Sequence, residues 1–204
     1  MSQIDWIKDL PVAHRGYHDM NKTVWENTLS AFSRAVDAGF AIECDIQLSS
    51  DSVPMVFHDH DLQRLCNMNG EVRERTAGEL RMLSIGGTAD KIPTLRQMLD
   101  LVKGRVPLVI ELKGIDAEHD DGFVEAVLEV LEGYEGKVAL MSFDYHLLRA
   151  LKAAGCPWPV GLTAEGREAV DRLLPLAKAI TAETLAPLSA REAETLTKLL
   201  AKIA

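Results

Sequence analysis

Four short apolar runs in this chain end in, or carry, ionisable side chains. "PVAHRGYHDMNKTVWENTLSAF", residues 11 to 32, brings its first run to a stop at His14 and Arg15. "AIECDIQLS" carries Glu43 and Asp45, "VPMVFHD" ends at His58 and Asp59, and "VPLVIELK" carries Glu111 and Lys113. In a strand, residues two apart share a face, so Glu43 sides with Asp45 and Glu111 with Lys113. Carboxylates buried side by side are costly unless positive charge sits among them. A divalent cation is the simplest solution, and oxygen-only ligands suit Mg²⁺ or Ca²⁺ better than zinc. Taken alone, a strand-end histidine is ordinarily structural, and a lone Glu-x-Asp or Glu-x-Lys is a solvated face. Four such exceptions at successive run ends point to one shared site, because the strand ends of a parallel α/β barrel converge on a single mouth.

The intervening segments supply the scaffold. Residues 28–38 place Leu29, Phe32 and Val36 on one helical face, with Gly39 to close it. Thr94 opens a second helix with Leu95, Met98, Leu99 and Val102 as its stripe and Gly104 as its stop. Phe123, Val127, Val130 and Leu131 mark a third. Asp144 caps a fourth, which carries Leu147, Leu148 and Leu151 and ends at Gly155. Ser189 and Glu192 have capping-box spacing ahead of Leu196, Leu199, Leu200 and Ile203. "KVALMSF" and "PVGLT" add later strands. Strands alternating with helices imply parallel strands joined by crossover helices. Residues 60–92 break the alternation and read as an irregular insertion, with Thr76 and Glu79 capping a short helix inside it. "SIGGTADK" has paired glycines without a strand-to-helix context, which reads as a flexible loop rather than a phosphate cradle.

Bulk properties narrow the function. The 204 residues carry a formal net charge of -9, which argues against a general nucleic-acid partner. At 47% hydrophobic residues the chain is expected to fold as one domain, 1–204. "MSQIDWIKDL" lacks the apolar block of a leader, and no run is long enough to span a bilayer. Cys44, Cys66 and Cys156 are odd in number and widely spaced, as reduced thiols of a cytoplasmic protein would be. His18 and His60 read as loop neighbours of the candidates, and His119 and His146 as residues with no functional role. Packing is the default for Trp6, Trp25 and Trp158.

"AHRG", "ENTLSAF", "ECDIQLSSD", "MVFHD", "IPTL" and "PLVIELK" follow one another in the order and approximate spacing of the glycerophosphodiester phosphodiesterases. The chain resembles that family over about residues 11–145. The resemblance implies a TIM barrel with a small insertion after the second strand region. It implies that Glu43, Asp45 and Glu111 ligate one divalent cation, Mg²⁺ or Ca²⁺. His14 and His58 would be general acid and base, in an order the sequence leaves open. Arg15 would hold the phosphate, Lys113 would add charge beside it, and Glu26 and Asn27 would support the site from its edge. The implied substrates are soluble glycerophosphodiesters, cut to an alcohol and glycerol 3-phosphate, with a cyclic phosphate as the family's first product. The family's late motifs, of Trp-Thr and Thr-Asp type, are not found. Six barrel strands are expected, "AKAIT" at 177–181 being the sixth, so the barrel is expected to stop before a seventh. Two other readings follow from that: a barrel relic that binds metal or phosphate without turnover, and a phospholipase-type lyase that stops at the cyclic phosphate. An open barrel edge is also expected to promote self-association, or to be filled by residues 183–204.

Overall fold

The first strand is only a dipeptide. In the computed structural model, which describes residues 5–163, β1 (Val12–Ala13) pairs in parallel with Ala41 and Ile42. The chain between them forms α1 (Leu29–Ala38). Thr28 caps its start by accepting from the Ala31 N–H, and Gly39, in the left-handed region, receives the chain at its end. Ala31, Phe32, Ala35 and Val36 face inward; Phe32 and Val36 are there as expected, while Leu29 is only partly buried against the core. Next comes β2 (Ala41–Leu48), buried along its whole length.

The third run departs from the parallel pattern. β3 (Pro54–Val56) turns back and pairs antiparallel with β2, with Ile46 opposite Val56 and Leu48 opposite Pro54. The short "SSDSV" connection is the physical reason. Parallel neighbours need a crossover of a dozen or more residues, whereas a few residues suffice for a hairpin. The return brings the end of the run back toward the middle of β2, where the Phe57 N–H donates to the Asp45 carbonyl.

The insertion is better ordered than its composition suggests. It contains α2 (Gln63–Cys66) and α3 (Ala77–Leu80), the latter with the expected reciprocal Thr76–Glu79 capping box. Met55, Phe57, Leu62, Leu65, Val72, Leu80, Ile85 and Ile92 form a core of its own, with Trp25 packed against it. The loop expected to be flexible at "SIGGTADK" is instead a packed turn. The Gly86 N–H donates to the Leu65 carbonyl, and the residue sits at φ +60 with the Trp25 indole where a Cβ would be.

Beyond it, α4 (Leu95–Val102), β4 (Leu108–Leu112), α5 (Phe123–Leu131), β5 (Val138–Ser142), α6 (Tyr145–Ala153) and β6 (Val160–Leu162) follow in alternation. The parallel strands stand in the order β1-β2-β4-β5-β6, with β3 off this path. The helices α1, α4, α5 and α6 bury their apolar stripes in one core against the sheet. This is a TIM-barrel-like α/β architecture, and among the described residues its sheet is not closed. The expected strand "AKAIT" and the helix expected after Ser189 lie outside the described residues.

Candidate active site

Strand alternation sorts β2 into two faces. Ile42, Cys44, Ile46 and Leu48 enter the helix-covered core, so Glu43, Asp45 and Gln47 point the other way. In β4, Leu108, Ile110 and Leu112 do the same, which leaves Glu111 on the face of Asp45. The sheet register sets Asp45 beside Glu111. One carboxylate oxygen each of Glu43, Asp45 and Glu111 lies within 4.8 Å of the others, and all three residues are buried. Burial, with the neighbouring Asp45 carboxylate, pushes Glu43 up to about 8. Burial also raises Glu111, against the pull of a hydrogen bond from Lys113.

Positive groups close around this cluster. Lys113 Nζ is 2.9 Å from Glu111 Oε1 and 3.6 Å from Asp45 Oδ1. Asn27 Nδ2 donates to Asp45 Oδ2 at 2.9 Å. Arg15 Nε lies 3.4 Å from Asp45 Oδ2, and its Nη1 donates to Glu26 Oε1 at 2.8 Å. Arg15 and Asn27 both hold left-handed backbone, at φ 56 and 54, and the Asn27 N–H donates to the Arg15 carbonyl. Non-glycine residues held there cost about 1–3 kcal/mol each. Here that conformation aims the Arg15 N–H at Glu43 Oε2. The oxygen-only, buried donor set fits a hard divalent cation, whose charge would relieve the repulsion that raises Glu43.

One histidine lies against Glu43, and the other follows the end of β3. His14 Nε2 is 3.9 Å from Glu43 Oε2. Partial loss of solvation and the adjacent Arg15 cation lower its pKa below the usual histidine value. His58 follows Phe57, which is bonded to the Asp45 backbone. His58 Nδ1 is 2.7 Å from Asp59 Oδ1, which fixes the Nδ1–H tautomer and leaves Nε2 as the outward nitrogen.

The sequence reading missed Arg64 and the orienting role of Asp59. From α2, Arg64 Nε donates to Asp59 Oδ2 at 2.6 Å, and its Nη1 and Nη2 donate to Glu26 at 3.0 and 2.7 Å. Burial works against ionisation of Glu26, but hydrogen bonds from Arg64, Asn21 and Arg15 outweigh it and hold the group down to about 2. Glu26 therefore joins Arg15 to the insertion. The usable signal was the spacing of Asp59 and Arg64, five apart across a helix start. The buried Gln47 was also missed. Its Nε2 donates to the Phe57 and Asp59 carbonyls and steadies the His58 segment.

With this geometry in hand, the family model of the glycerophosphoryl diester phosphodiesterase family matches residues 14–204. The chain belongs to that family. It is 33% identical over 166 residues to a glycerophosphodiester phosphodiesterase of Caldanaerobacter subterraneus, covering 76% of this chain and 67% of that protein. A glycerophosphodiester phosphodiesterase of Bacillus altitudinis is 35% identical over 144 residues, covering 65% of this chain and 57% of its own. The family member described here thus spans about two thirds or less of these relatives. Among solved structures it resembles an Oleispira antarctica phosphodiesterase in complex with the product sn-glycerol-3-phosphate, with a TM-score of 0.70, 27% identity, and 84% and 74% of the two chains covered. A glycerophosphodiester phosphodiesterase of Thermotoga maritima gives a TM-score of 0.62 at 29% identity, covering 81% of this chain and 69% of that one.

Proposed function

We propose that the chain hydrolyses glycerophosphodiesters to an alcohol and sn-glycerol 3-phosphate with the help of one divalent cation, Mg²⁺ or Ca²⁺. The observation that carries this reading is the buried Glu43–Asp45–Glu111 cluster, with His14 3.9 Å from Glu43 and the Arg15 and Lys113 cations reaching into it. Those three carboxylates would hold the metal. When bound, it supplies Lewis-acid stabilisation of the charge that gathers on the phosphoryl oxygens.

The side chains do the rest. Arg15 and Lys113 bind the non-bridging oxygens and fix the phosphate against the cluster. His14, kept neutral by its lowered pKa, takes the proton of the attacking hydroxyl at Nε2. His58, with Asp59 as its counter-ion, gives a proton from Nε2 to the departing alcohol. In the family's two-step route the second half reverses the roles. His58, now neutral, takes a proton from water, and His14 returns its own to the glycerol oxygen. Both rings end as they began. Such transfers are worth roughly 10²–10⁴-fold in rate. Three free cysteines support cytoplasmic residence as part of this reading, and no described helix is long and apolar enough to cross a membrane.

The test is glycerophosphocholine incubated with the protein, with Mg²⁺ or Ca²⁺ and with chelator, followed by phosphorus NMR. Glycerol 3-phosphate formed only with cation is expected. No product from any glycerophosphodiester overturns the hydrolase reading, and a cyclic phosphate that never opens replaces it with a lyase.

A further inference from the structure

A second ionic cluster lies just past the end of β4, and the chemistry above leaves it without a role. Its hub is Asp120, whose side chain is 1% exposed. Arg73, from the insertion, donates through Nη2 to Asp120 Oδ1 at 2.6 Å. Asp120 Oδ2 accepts from the Ile115 N–H at 2.8 Å and from His146 Nε2 at 2.7 Å. Arg73 also reaches the His119 carbonyl at 2.9 Å and the Lys113 carbonyl at 3.4 Å. Asp116 and His119 pair with each other at the exposed edge of this loop, which also carries Glu118 and Asp121.

What these bonds hold is the backbone that carries Lys113. The Lys113 N–H is bonded to the Ile46 carbonyl, the Gly114 N–H to Asp144 Oδ2, and the Ile115 N–H to Asp120. The Leu112 carbonyl accepts from Ser142 Oγ. A Cβ at Gly114 would collide with Asp120 and Leu147, so the two carboxylates close on a residue with no side chain. A buried carboxylate with an arginine from one element and a histidine from another is a strong and directional anchor.

We propose that Asp120, tied to Arg73, is a positioning residue for Lys113. It fixes the turn after β4 so that the Lys113 ammonium meets the phosphate, and it ties the insertion to the barrel at a second point besides Arg64. This deepens the phosphodiesterase reading and rests on it. Asp120 touches neither substrate nor metal, and it acts through the lysine.

The experiment is a cycle of Asp120→Asn, Lys113→Met and the double variant, each checked for a cooperative thermal transition. Affinity for sn-glycerol 3-phosphate in the presence of Mg²⁺ is read by calorimetry, with amide exchange of residues 113–116 and steady-state kinetics beside it. Asp120→Asn should weaken glycerol phosphate binding and raise KM by about tenfold, the scale of lost supporting contacts. It should change kcat far less, speed exchange at Gly114 and Ile115, and leave Mg²⁺ affinity unchanged. In the Lys113→Met background it should cost nothing further. If Asp120→Asn does not fold, Arg73→Met carries the same cycle. Unchanged affinity and exchange, an equal loss of Mg²⁺ affinity, or the same tenfold loss without Lys113 would each overturn the proposal. Absence of turnover in the unmodified protein would refute the hydrolase reading alone, because the binding and exchange measurements still decide this one.

Discussion

The backbone N–H of Arg15 donates to Glu43 Oε2 at 2.8 Å. That bond ties the end of the first strand to a carboxylate of the second, and so joins the candidate phosphate-binding residue to the candidate metal cluster. Replacing Glu43 by Gln keeps an oxygen for Arg15 while removing the charge. Cation affinity measured by calorimetry should fall by at least about tenfold, and the unfolding transition should survive. Unchanged affinity would remove Glu43 from the metal site.

The same carboxylate makes a prediction about pH for the cation-free protein. Its folded pKa is raised from 4.5 to about 8, with burial the largest cause. Between those values the folded state keeps a proton that the unfolded state has shed. Its contribution to stability is therefore full below pH 4.5 and falls as pH rises toward 8, by at most about 1.4 kcal/mol per pH unit. Cation binding at pH 7 should release close to one proton, seen as a binding enthalpy that depends on the buffer. Glu43→Gln should abolish that dependence.

Much of this site was legible because it obeys period-two geometry. Glu43 and Asp45 had to share a face, and Gly39, Thr76 and Thr94 announced their helix ends by residue type. What stayed hidden depends on long-range partners. Asp59 and Arg64 look like ordinary charged loop residues until the insertion folds back on Glu26, 38 positions before Arg64. The antiparallel return of β3 turns on the length of one connection, which apolar patterning does not report. His146 and Asp120 are 26 residues apart and meet only because α6 packs beside the turn after β4.

The insertion's order gives a stability prediction. Gly86→Ala asks a residue with a side chain to hold φ +60 where the Trp25 indole already lies. A cost above about 1 kcal/mol is expected, read as a lowered unfolding midpoint. An unshifted midpoint would show that the turn moves freely away from Trp25.

His14 and His58 should separate by leaving group. His14→Ala and His58→Ala should each abolish turnover of glycerophosphocholine, whose leaving alcohol needs a proton. A p-nitrophenyl diester leaves without that help, so it should restore activity to His58→Ala and not to His14→Ala. Equal rescue of both would contradict the division of roles.

Arg64 offers the sharpest test of how the insertion reaches the chemistry. It binds both oxygens of Asp59 and both oxygens of Glu26, so one guanidinium orients the partner of His58 and the partner of Arg15 together. A lysine can satisfy one carboxylate but lacks the planar fork for two. Arg64→Lys should therefore lower kcat by about tenfold and Arg64→Met by more, toward the roughly 10²-fold lower bound for losing a positioned proton donor. If the loss runs through His58, a p-nitrophenyl diester should recover most of the activity of both variants, as it does for His58→Ala. If it runs instead through Arg15, the good leaving group should recover nothing and KM should rise. Rates unaltered on both substrates would reduce Arg64 to a surface ion pair.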